Sequence, residues 1–320
     1  MRALGLSVLF ATLVLPGCGS SEKAGPRVAP AAGGASAGGA ATGGAGGVPG
    51  ADASTSAGGA GAGDASTDVF VEDVSGRFLD QDGLPPPEGF GASVCGPVCY
   101  ISQTTADGSF VVPIGSPIPL SDYSALPHGR PLVAGFYFSL PEDQKGPHLA
   151  LGDLPLVNLP AAGAPIDLAG TAPQSLKSGP ATLIIPAGTE TKLEFDDIAA
   201  GDQGSQFRAV LVEPSRFGSW VPAGSVAAFA LGPFESYQAA ADGTTVPTRL
   251  AFDNTAKLSP GTSVDVLALG TYLHPSWIPP GRFAKVASAV VASDGKTVEL
   301  SPGDGLLYLT WAALVPTGGT

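Results

Sequence analysis

The cysteine pair in Cys95-Gly-Pro-Val-Cys99 is the first place in this sequence where side chains could do chemistry. Three residues separate the two thiols, which does not match a C-x-x-C redox motif, and there is no second pair or histidine cluster to complete a zinc site. In an oxidising compartment the pair would form a disulfide that closes a short turn and contributes at most about 2 kcal/mol. Free thiols are the alternative, because strand geometry could hold the sulfurs apart. Either state gives the pair a structural role.

The three histidines, His128, His148 and His274, offer no catalytic arrangement. They lie far apart in the sequence, and each stands beside a proline or glycine typical of loops. Beyond residue 69, no serine lies in the G-x-S-x-G pattern of a hydrolase nucleophile elbow. We therefore predict no catalytic residues. A hydrolase assembled from residues distant in sequence is the alternative.

The acidic residues suggest two fragments of calcium sites, and both have simpler interpretations. Asp80-Gln-Asp82-Gly83 lacks the later ligands and closing glutamate of an EF-hand, and Asp-Gly is common in hairpin turns. Asp196 and Asp197 could join Asp202 at a surface cation, but a solvated face is the simpler interpretation. We predict no metal ligands and no cofactor.

The N-terminus, MRALGLSVLFATLVLPGCGSS, has the pattern of an export signal. Arg2 precedes an apolar run over residues 3–15, shorter than the roughly 20 residues a membrane-spanning helix needs. Leu15-Pro16-Gly17-Cys18 resembles a bacterial lipobox, with Pro16 departing from the usual alanine or serine. The resemblance implies cleavage after residue 17 and acylation of Cys18, and Gly19 after it suggests the outer membrane. An ordinary secretory signal with an incidental cysteine is the alternative.

The overall composition limits the partners. The net charge is −13, from 15 basic and 28 acidic residues, so no basic patch is available and nucleic acid is not an expected partner. The sequence contains 46 glycines and 31 prolines, which leave few places for long helices.

Residues 18–68 form a Gly/Ala/Ser-rich segment that we predict to be a disordered tether. No aromatic residue occurs between Phe10 and Phe70, so the segment cannot bury enough apolar surface to offset the entropy of ordering. About 50 residues of such chain span roughly 40 Å on average. The tether would space a folded part from a membrane, or it is tolerated low-complexity sequence.

Residues 69–165 contain short apolar runs separated by turn signals, which predict antiparallel strands of a β-sandwich. The segment resembles the carboxypeptidase regulatory-like, or transthyretin-like, family. The matching residues are Val74, Gly76, Phe78, Asp80 and Gly83, then Gly91, Ala92 and Val94, then Thr104, Ala106, Asp107, Gly108 and Phe110. The resemblance implies a strand entering a hairpin, and a later Asp-Gly hairpin followed by a core aromatic. PLVAGFYFSL, 131–140, is a further strand candidate.

Residues 175–320 are predicted to form a second β-domain. Alternating apolar and polar residues predict strands in KLEFDD, QFRAVLV, VAAFALG, RLAFDN, SVDVLALG and KTVEL, each with one core face and one solvent face. The only helical candidate is ESYQAAADG at 235–243. SGPATLIIPAGT resembles the opening of ZU5-type domains, and the segments from FDNTAKLSPGT to KTVEL resemble modules of large bacterial surface proteins. The resemblance implies an adhesion or scaffold role and names no substrate.

Two further features concern the second domain. Domains of the ZU5 type sometimes cleave themselves beside a His-Leu-Thr turn, but Tyr308-Leu309-Thr310 has tyrosine in place of the histidine base, and tyrosine is a poor base at neutral pH. Trp277 in HPSWIPPG lies in a predicted loop. We predict that Trp277 contacts a binding partner. The alternative is that its side chain is buried in the core beneath the loop.

The sequence therefore predicts an exported, all-β protein held at the bacterial outer membrane or cell surface by acyl chains on Cys18. Two sandwich-type domains follow a disordered tether. The leading functional hypothesis is a non-enzymatic module that binds or scaffolds an envelope protein or glycan. The alternatives are an envelope hydrolase of unrecognised type and a purely structural accessory lipoprotein.

Overall fold

A computed structural model of the protein describes residues 68–144 and 146–317. The predicted signal segment, Cys18 and the predicted tether up to residue 67 lie outside the described residues. Within them the fold is all-β, as predicted, with only short helical segments. No helix in this part of the chain is long and apolar enough to cross a membrane.

The regular elements of the described residues follow one another along the chain. The strands are β1 Val69–Leu79, β2 Gly91–Cys95, β3 Cys99–Gln103, β4 Ser109–Ile118, β5 Ser124–His128, β6 Phe138–Ser139, β7 His148–Pro155, β8 Ala164–Pro165, β9 Gln174–Ser178, β10 Ala181–Ile185, β11 Glu190–Lys192, β12 Gln206–Val212, β13 Ala227–Gly232, β14 Tyr237–Ala239, β15 Thr245–Val246, β16 Arg249–Asp253, β17 Ser263–Leu269, β18 Phe283–Val291, β19 Thr297–Leu300 and β20 Ala312–Pro316. The helices are α1 Phe195–Ala199 and α2 Pro214–Phe217, with single 3₁₀ turns at Leu120–Asp122, Gly201–Gln203 and Gly218–Trp220.

The strands of the described residues form four sheets. The first half of the chain supplies a three-stranded sheet, β4-β1-β7, and a four-stranded sheet, β3-β2-β5-β6. The second half supplies a ten-stranded sheet, β8-β12-β13-β20-β17-β18-β19-β16-β10-β9, and a small sheet, β11-β14-β15. Strand pairing is antiparallel except between β1 and β7, which run parallel.

Both Asp-Gly pairs of the first half form turns, but neither turn closes a hairpin. Asp80 Oδ1 accepts hydrogen bonds from the backbone N–H groups of Asp82 and Leu84, both at 2.9 Å. This turn leads from β1 to β2, which belong to different sheets, and the turn at Asp107 likewise leads from β3 to β4. The hairpin prediction is therefore wrong at both places, because each turn carries the chain across the sandwich. The aromatic residue expected after the second turn, Phe110, is buried in the core.

Three local predictions fail. In KLEFDD the expected strand is replaced by helix α1, which turns Asp197 inward and leaves Phe195 exposed. The helical candidate at 235–243 contains strand β14 instead, paired with β11 and β15. Within PLVAGFYFSL only Phe138–Ser139 is strand. In that segment the carbonyl of Gly135 accepts a hydrogen bond from Trp311 Nε1 at 2.7 Å. This carbonyl is therefore used in a tertiary contact instead of a hydrogen bond between strands.

Two hydrophobic cores lie on opposite faces of the ten-stranded sheet. In β13, Ala228 and Ala230 belong to one core, while Ala227, Phe229 and Leu231 belong to the other. Strand side chains alternate between faces, so β13 is buried on both sides. The prediction of one core face and one solvent face is therefore wrong for β13. It is confirmed for β16 and β19, whose residues alternate between buried and more exposed.

The first core contains residues from both predicted domains. Phe78, Phe110 and Phe138 of the first half share it with Phe217 and Trp311 of the second. The Trp311 ring packs on Phe136, with ring centroids 4.8 Å apart in an edge-on contact. The two sheets of the first half therefore pack on the face of the ten-stranded sheet that carries Ala228 and Ala230. The domain families and the boundary between residues 165 and 175 stay predictions.

Candidate functional site

A cleft of about 810 Å³ lies where the two halves of the chain meet. Its walls are the 95–99 turn, the Ser121–Asp122 corner, the start of α1 and the loop over residues 272–280 that joins β17 to β18. The side chains of Arg130, Tyr137 and Glu235 also line it. We refer to this space as the cleft and to these three residues as the anchor.

The anchor is a buried ion pair completed by a phenol. Arg130 Nη2 donates a hydrogen bond to Glu235 Oε2 at 2.8 Å, and the Tyr137 hydroxyl donates to Glu235 Oε1 at 2.7 Å. Glu235 is 1% exposed, so both of its carboxylate oxygens are satisfied inside the protein. Because Arg130 follows β5 and Glu235 follows β13, the pair ties the four-stranded sheet to the ten-stranded sheet.

The backbone around the anchor is specialised. Glu235 has a φ of 67°, in the left-handed region that non-glycine residues seldom adopt. Its N–H donates to the carbonyl of Leu309 at 2.7 Å, which fixes this strained position. The Arg130 guanidinium lies 4.9 Å from the centroid of the Phe234 ring. A Cβ at Gly135 would come within 2.5 Å of that ring, so a glycine is needed there.

The environment of the anchor fixes its protonation. Burial raises the pKa of Tyr137 well above its usual value, and the adjacent Glu235 carboxylate raises it further. Burial alone would lower the pKa of Arg130, but Glu235 more than offsets it and the pKa is raised. Arg130 therefore stays charged and Tyr137 stays protonated at neutral pH. Neither group can act as a general base there.

Asp197 lies next to the anchor and corrects a sequence prediction. Its side chain is 1% exposed, and its Oδ2 lies 3.9 Å from Arg130 Nη1 without a hydrogen-bond partner. Burial raises its pKa from 3.8 to about 6; Asp196 and Glu194 add to the effect, and Arg130 and Arg208 oppose it. The solvated-face interpretation is therefore wrong for Asp197, although it holds for the exposed Asp196 and Asp202.

The open side of the cleft combines apolar and acidic side chains. Phe195 is 79% exposed and Leu273 is 51% exposed, and both line the cleft together with the nearby prolines Pro275 and Pro279. Asp122, Glu194 and Asp196 supply carboxylates along the same walls. Burial raises the pKa of Glu194, and the neighbouring Glu235 adds to this effect. Large exposed apolar side chains beside a concave surface are typical of binding sites.

A second groove of about 810 Å³ lies beside the Asp80–Gly83 turn, and most of its charged side chains already have partners. Asp153 forms a 2.8 Å ion pair with Arg77, and Glu213 lies 3.4 Å from Arg216. The Arg216 guanidinium also donates to the carbonyl of Gln81 at 2.5 Å. Gln81 Nε2 is buried here without a hydrogen-bond partner. We take the cleft as the candidate site because Phe195 and Leu273 are exposed there, whereas none of the large apolar side chains that line this groove is exposed.

Cys95 and Cys99 are joined by a disulfide at one wall of the cleft. Close to it, the buried hydroxyl of Ser93 lies 2.7 Å from His128 Nε2. Burial lowers the pKa of His128, so the ring is neutral at pH 7 and could in principle act as a base. Ser93 is 0% exposed, however, so no substrate can reach its hydroxyl in this conformation.

Trp277 lies apart from the cleft, in an aromatic cluster. It is half-buried against the second core, and its ring lies edge-on to Tyr308 with centroids 5.4 Å apart. Tyr308 stacks on His274 with centroids 3.4 Å apart, and Tyr237 contacts both rings. Thr310, the predicted position of a self-cleavage hydroxyl, is 0% exposed. The loop prediction for His274 is confirmed, whereas His128 ends β5 and His148 begins β7.

No group of three or more His, Cys, Asp or Glu side chains in the described residues is arranged to hold a metal ion. Sequence reasoning missed every anchor residue. Arg130, Tyr137 and Glu235 come from different segments of the chain, and no motif connects them. The available signals were the rare arginine in HGRP and the glutamate in LGPFES, a charge directly after an apolar strand.

Comparisons with known proteins yield little. No family model matches the chain, and no curated protein matches it. Among solved structures, it is similar to a proposed carbohydrate binding protein from Bacteroides uniformis, with 10% identity over 77% of this chain and 98% of that one. The TM-score is 0.17, so the function is argued below from the cleft alone.

Proposed function

We propose that this protein is a non-enzymatic binding module whose ligand site is the cleft. The observation that carries the proposal is the exposed Phe195 and Leu273 at the mouth of a cleft of about 810 Å³, with the buried, hydrogen-bonded anchor at its floor. Preformed concave sites of this size, apolar with a few fixed polar groups, are typical of ligand binding. The anchor holds both walls in place, so little reorganisation entropy opposes binding.

The state of the polar groups favours binding over catalysis. Glu235, the most buried carboxylate of the cleft, has both oxygens engaged by Arg130 and Tyr137. A general base must reach the proton that it abstracts, and Glu235 cannot. The phenol of Tyr137 is held protonated by the same pair.

An envelope hydrolase remains the second candidate because of the 2.7 Å contact between Ser93 and His128. A serine nucleophile would react with a fluorophosphonate probe, and Ser93→Ala would abolish the labelling. Since Ser93 is buried, we expect no labelling of the unmodified chain. Labelling that is lost on the Ser93→Ala substitution would favour the hydrolase.

The binding proposal is tested by affinity capture from the native envelope. A component captured by the unmodified chain should be lost with Phe195→Ser and retained with Ile198→Ser. Both side chains are exposed on helix α1, at 79% and 61%, but only Phe195 lines the cleft. Capture that tolerates both substitutions, or is lost equally with both, would contradict a site in the cleft.

We further propose that the module is exported and anchored through acyl chains on Cys18, where its ligand would be an envelope protein or a glycan. Two or more acyl chains give stable membrane attachment. Cys18→Ser should move the protein out of the membrane fraction, whereas unchanged partitioning would refute the anchor.

A further inference from the structure

We infer that the ligand of the cleft is a cationic, partly apolar peptide segment of a partner protein, an inference that rests on the proposed function. Its apolar part follows from Phe195 and Leu273, which expose large hydrophobic surfaces at the mouth. A ligand that covers these two side chains removes apolar surface from water, which favours binding.

The cationic part follows from the charges that line the cleft. One cation, Arg130, stands against four carboxylates there, and Arg130 is already paired with Glu235. The remaining three are Asp122, Glu194 and Asp196, and no ion pair within the described part of the chain neutralises them. An anionic ligand would meet these carboxylates without an available cation, whereas Lys or Arg side chains would complement them.

The spacing of the two kinds of group favours a peptide over a small polyamine. Glu194 and Asp196 flank the exposed ring of Phe195 in the sequence, so charge and apolar surface alternate along one wall. Lys and Arg side chains carry apolar stems that can lie on such a ring while their charged ends reach the carboxylates. A peptide that alternates basic and apolar residues matches this wall along its length.

The buried Asp197 reinforces this charge balance. Its carboxylate lies 3.9 Å from Arg130, so Arg130 faces two acidic partners rather than one. Arg130 is therefore not available to attract an anionic group such as a peptide C-terminus.

The test is a selection of random 12-residue peptides displayed on phage against the full chain carrying Cys18→Ser. Recovered peptides are synthesised, and their affinities are measured by fluorescence anisotropy. The cleft variant carries Asp122→Asn, Glu194→Gln and Asp196→Asn. The matched control carries Glu88→Gln, Asp143→Asn and Asp202→Asn, three exposed carboxylates that do not line the cleft. Both variants change the net charge equally, so nonspecific attraction to an acidic protein affects both alike.

We expect the recovered peptides to combine Lys or Arg with apolar residues. The cleft variant should weaken their binding by about tenfold at low salt and the control variant by less than about twofold. Raising the salt concentration should weaken binding to the unmodified chain and have little effect on the cleft variant. Spermine should compete poorly, because its short methylene segments bury less apolar surface against Phe195 and Leu273 than the apolar side chains of a peptide.

The contrary outcomes separate the two proposals. Acidic or neutral peptides that bind and are lost with Phe195→Ser would overturn the cationic inference and leave the cleft as a binding site. Spermine that competes as well as the peptide would assign the site to a small cation instead. Equal losses in both triple variants, or the absence of any recovered peptide, would also overturn the inference. The proposed function would then be judged by the envelope capture with Phe195→Ser and Ile198→Ser.

Discussion

At the scale of single residues, the structure depends on charges that are buried and paired. Arg130, Glu235 and Asp197 lie within one cluster, and only the first two are joined by a hydrogen bond. Removing one member of a buried ion pair is costly because the other charge stays desolvated. Exposed pairs in the same protein provide a natural comparison, because water already solvates both partners.

Glu235→Gln should lower the free energy of unfolding by about 3 kcal/mol, because the Arg130 charge would keep only the more distant Asp197. Glutamine retains the side-chain length and tests the charge rather than the backbone. The control is Glu142→Gln, which breaks a 2.8 Å pair with Arg282 that is exposed on both sides and should cost less than about 1 kcal/mol. Urea unfolding at pH 7 measures both. Equal costs would show that the anchor contributes no more than a surface pair.

Asp197→Asn should remove a pH-dependent part of the stability. The pKa of Asp197 is raised from 3.8 to about 6 in the folded protein, so the native state binds more protons than the unfolded state between these values. Its contribution to stability is fully present below about pH 4 and is lost as the pH rises through about 6. The pKa difference corresponds to about 3 kcal/mol. Urea unfolding of both chains at pH 4 and pH 7.5 tests this. From the lower to the higher pH, the free energy of unfolding of the unmodified chain should fall relative to that of Asp197→Asn. A difference independent of pH would contradict a buried, proton-binding Asp197.

At the scale of elements, the sequence predicted strands best where large apolar residues alternate with polar or small ones over five or more positions. QFRAVLV, RLAFDN and SVDVLALG each contain a strand at the expected place. KLEFDD fails although it alternates: the strand ends at Lys192, and the chain turns into α1, which places Asp197 beside Arg130. The cleft could not be predicted, since Arg130, Glu194 and Glu235 meet only through the packing of separate sheets.

Trp311→Ala should destabilise the protein by about 3–5 kcal/mol, because it removes a fully buried ring and leaves a cavity. The ring lies between Phe136 and Phe217, and its N–H donates to the carbonyl of Gly135. The control is Trp277→Ala at the half-buried aromatic cluster, with an expected cost of about 1 kcal/mol. Denaturant midpoints compare the two. A smaller loss of stability for Trp311→Ala than for Trp277→Ala would contradict a central role of Trp311 in the first core.

At the scale of the whole molecule, the two predicted domains share a core that the sequence did not anticipate. Residues before 160 and after 210 contribute to the same cluster of buried side chains. Domain prediction from composition marks soft stretches such as 161–178, but it cannot detect apolar surface that pairs across them. Strands β12, β13 and β20 contribute side chains to both cores, so they lie at the centre of the described fold.

Heat should unfold the described part of the chain in one cooperative transition, because separating the halves would expose the shared core and the anchor. Scanning calorimetry of the full chain tests this by comparing the calorimetric and van't Hoff enthalpies, which should agree. Two resolved transitions, with only the first shifted by Glu235→Gln, would instead indicate that the halves are independent domains.

The most direct test of the central claim places a photo-reactive phenylalanine at position 195 of the protein in its native envelope. A second chain carries it at the exposed Val111 on β4, which does not line the cleft. Position 195 should give a specific cross-linked adduct that Asp122→Asn weakens, and position 111 should give none. Identical adducts from both positions, or none from position 195, would contradict a ligand site in the cleft.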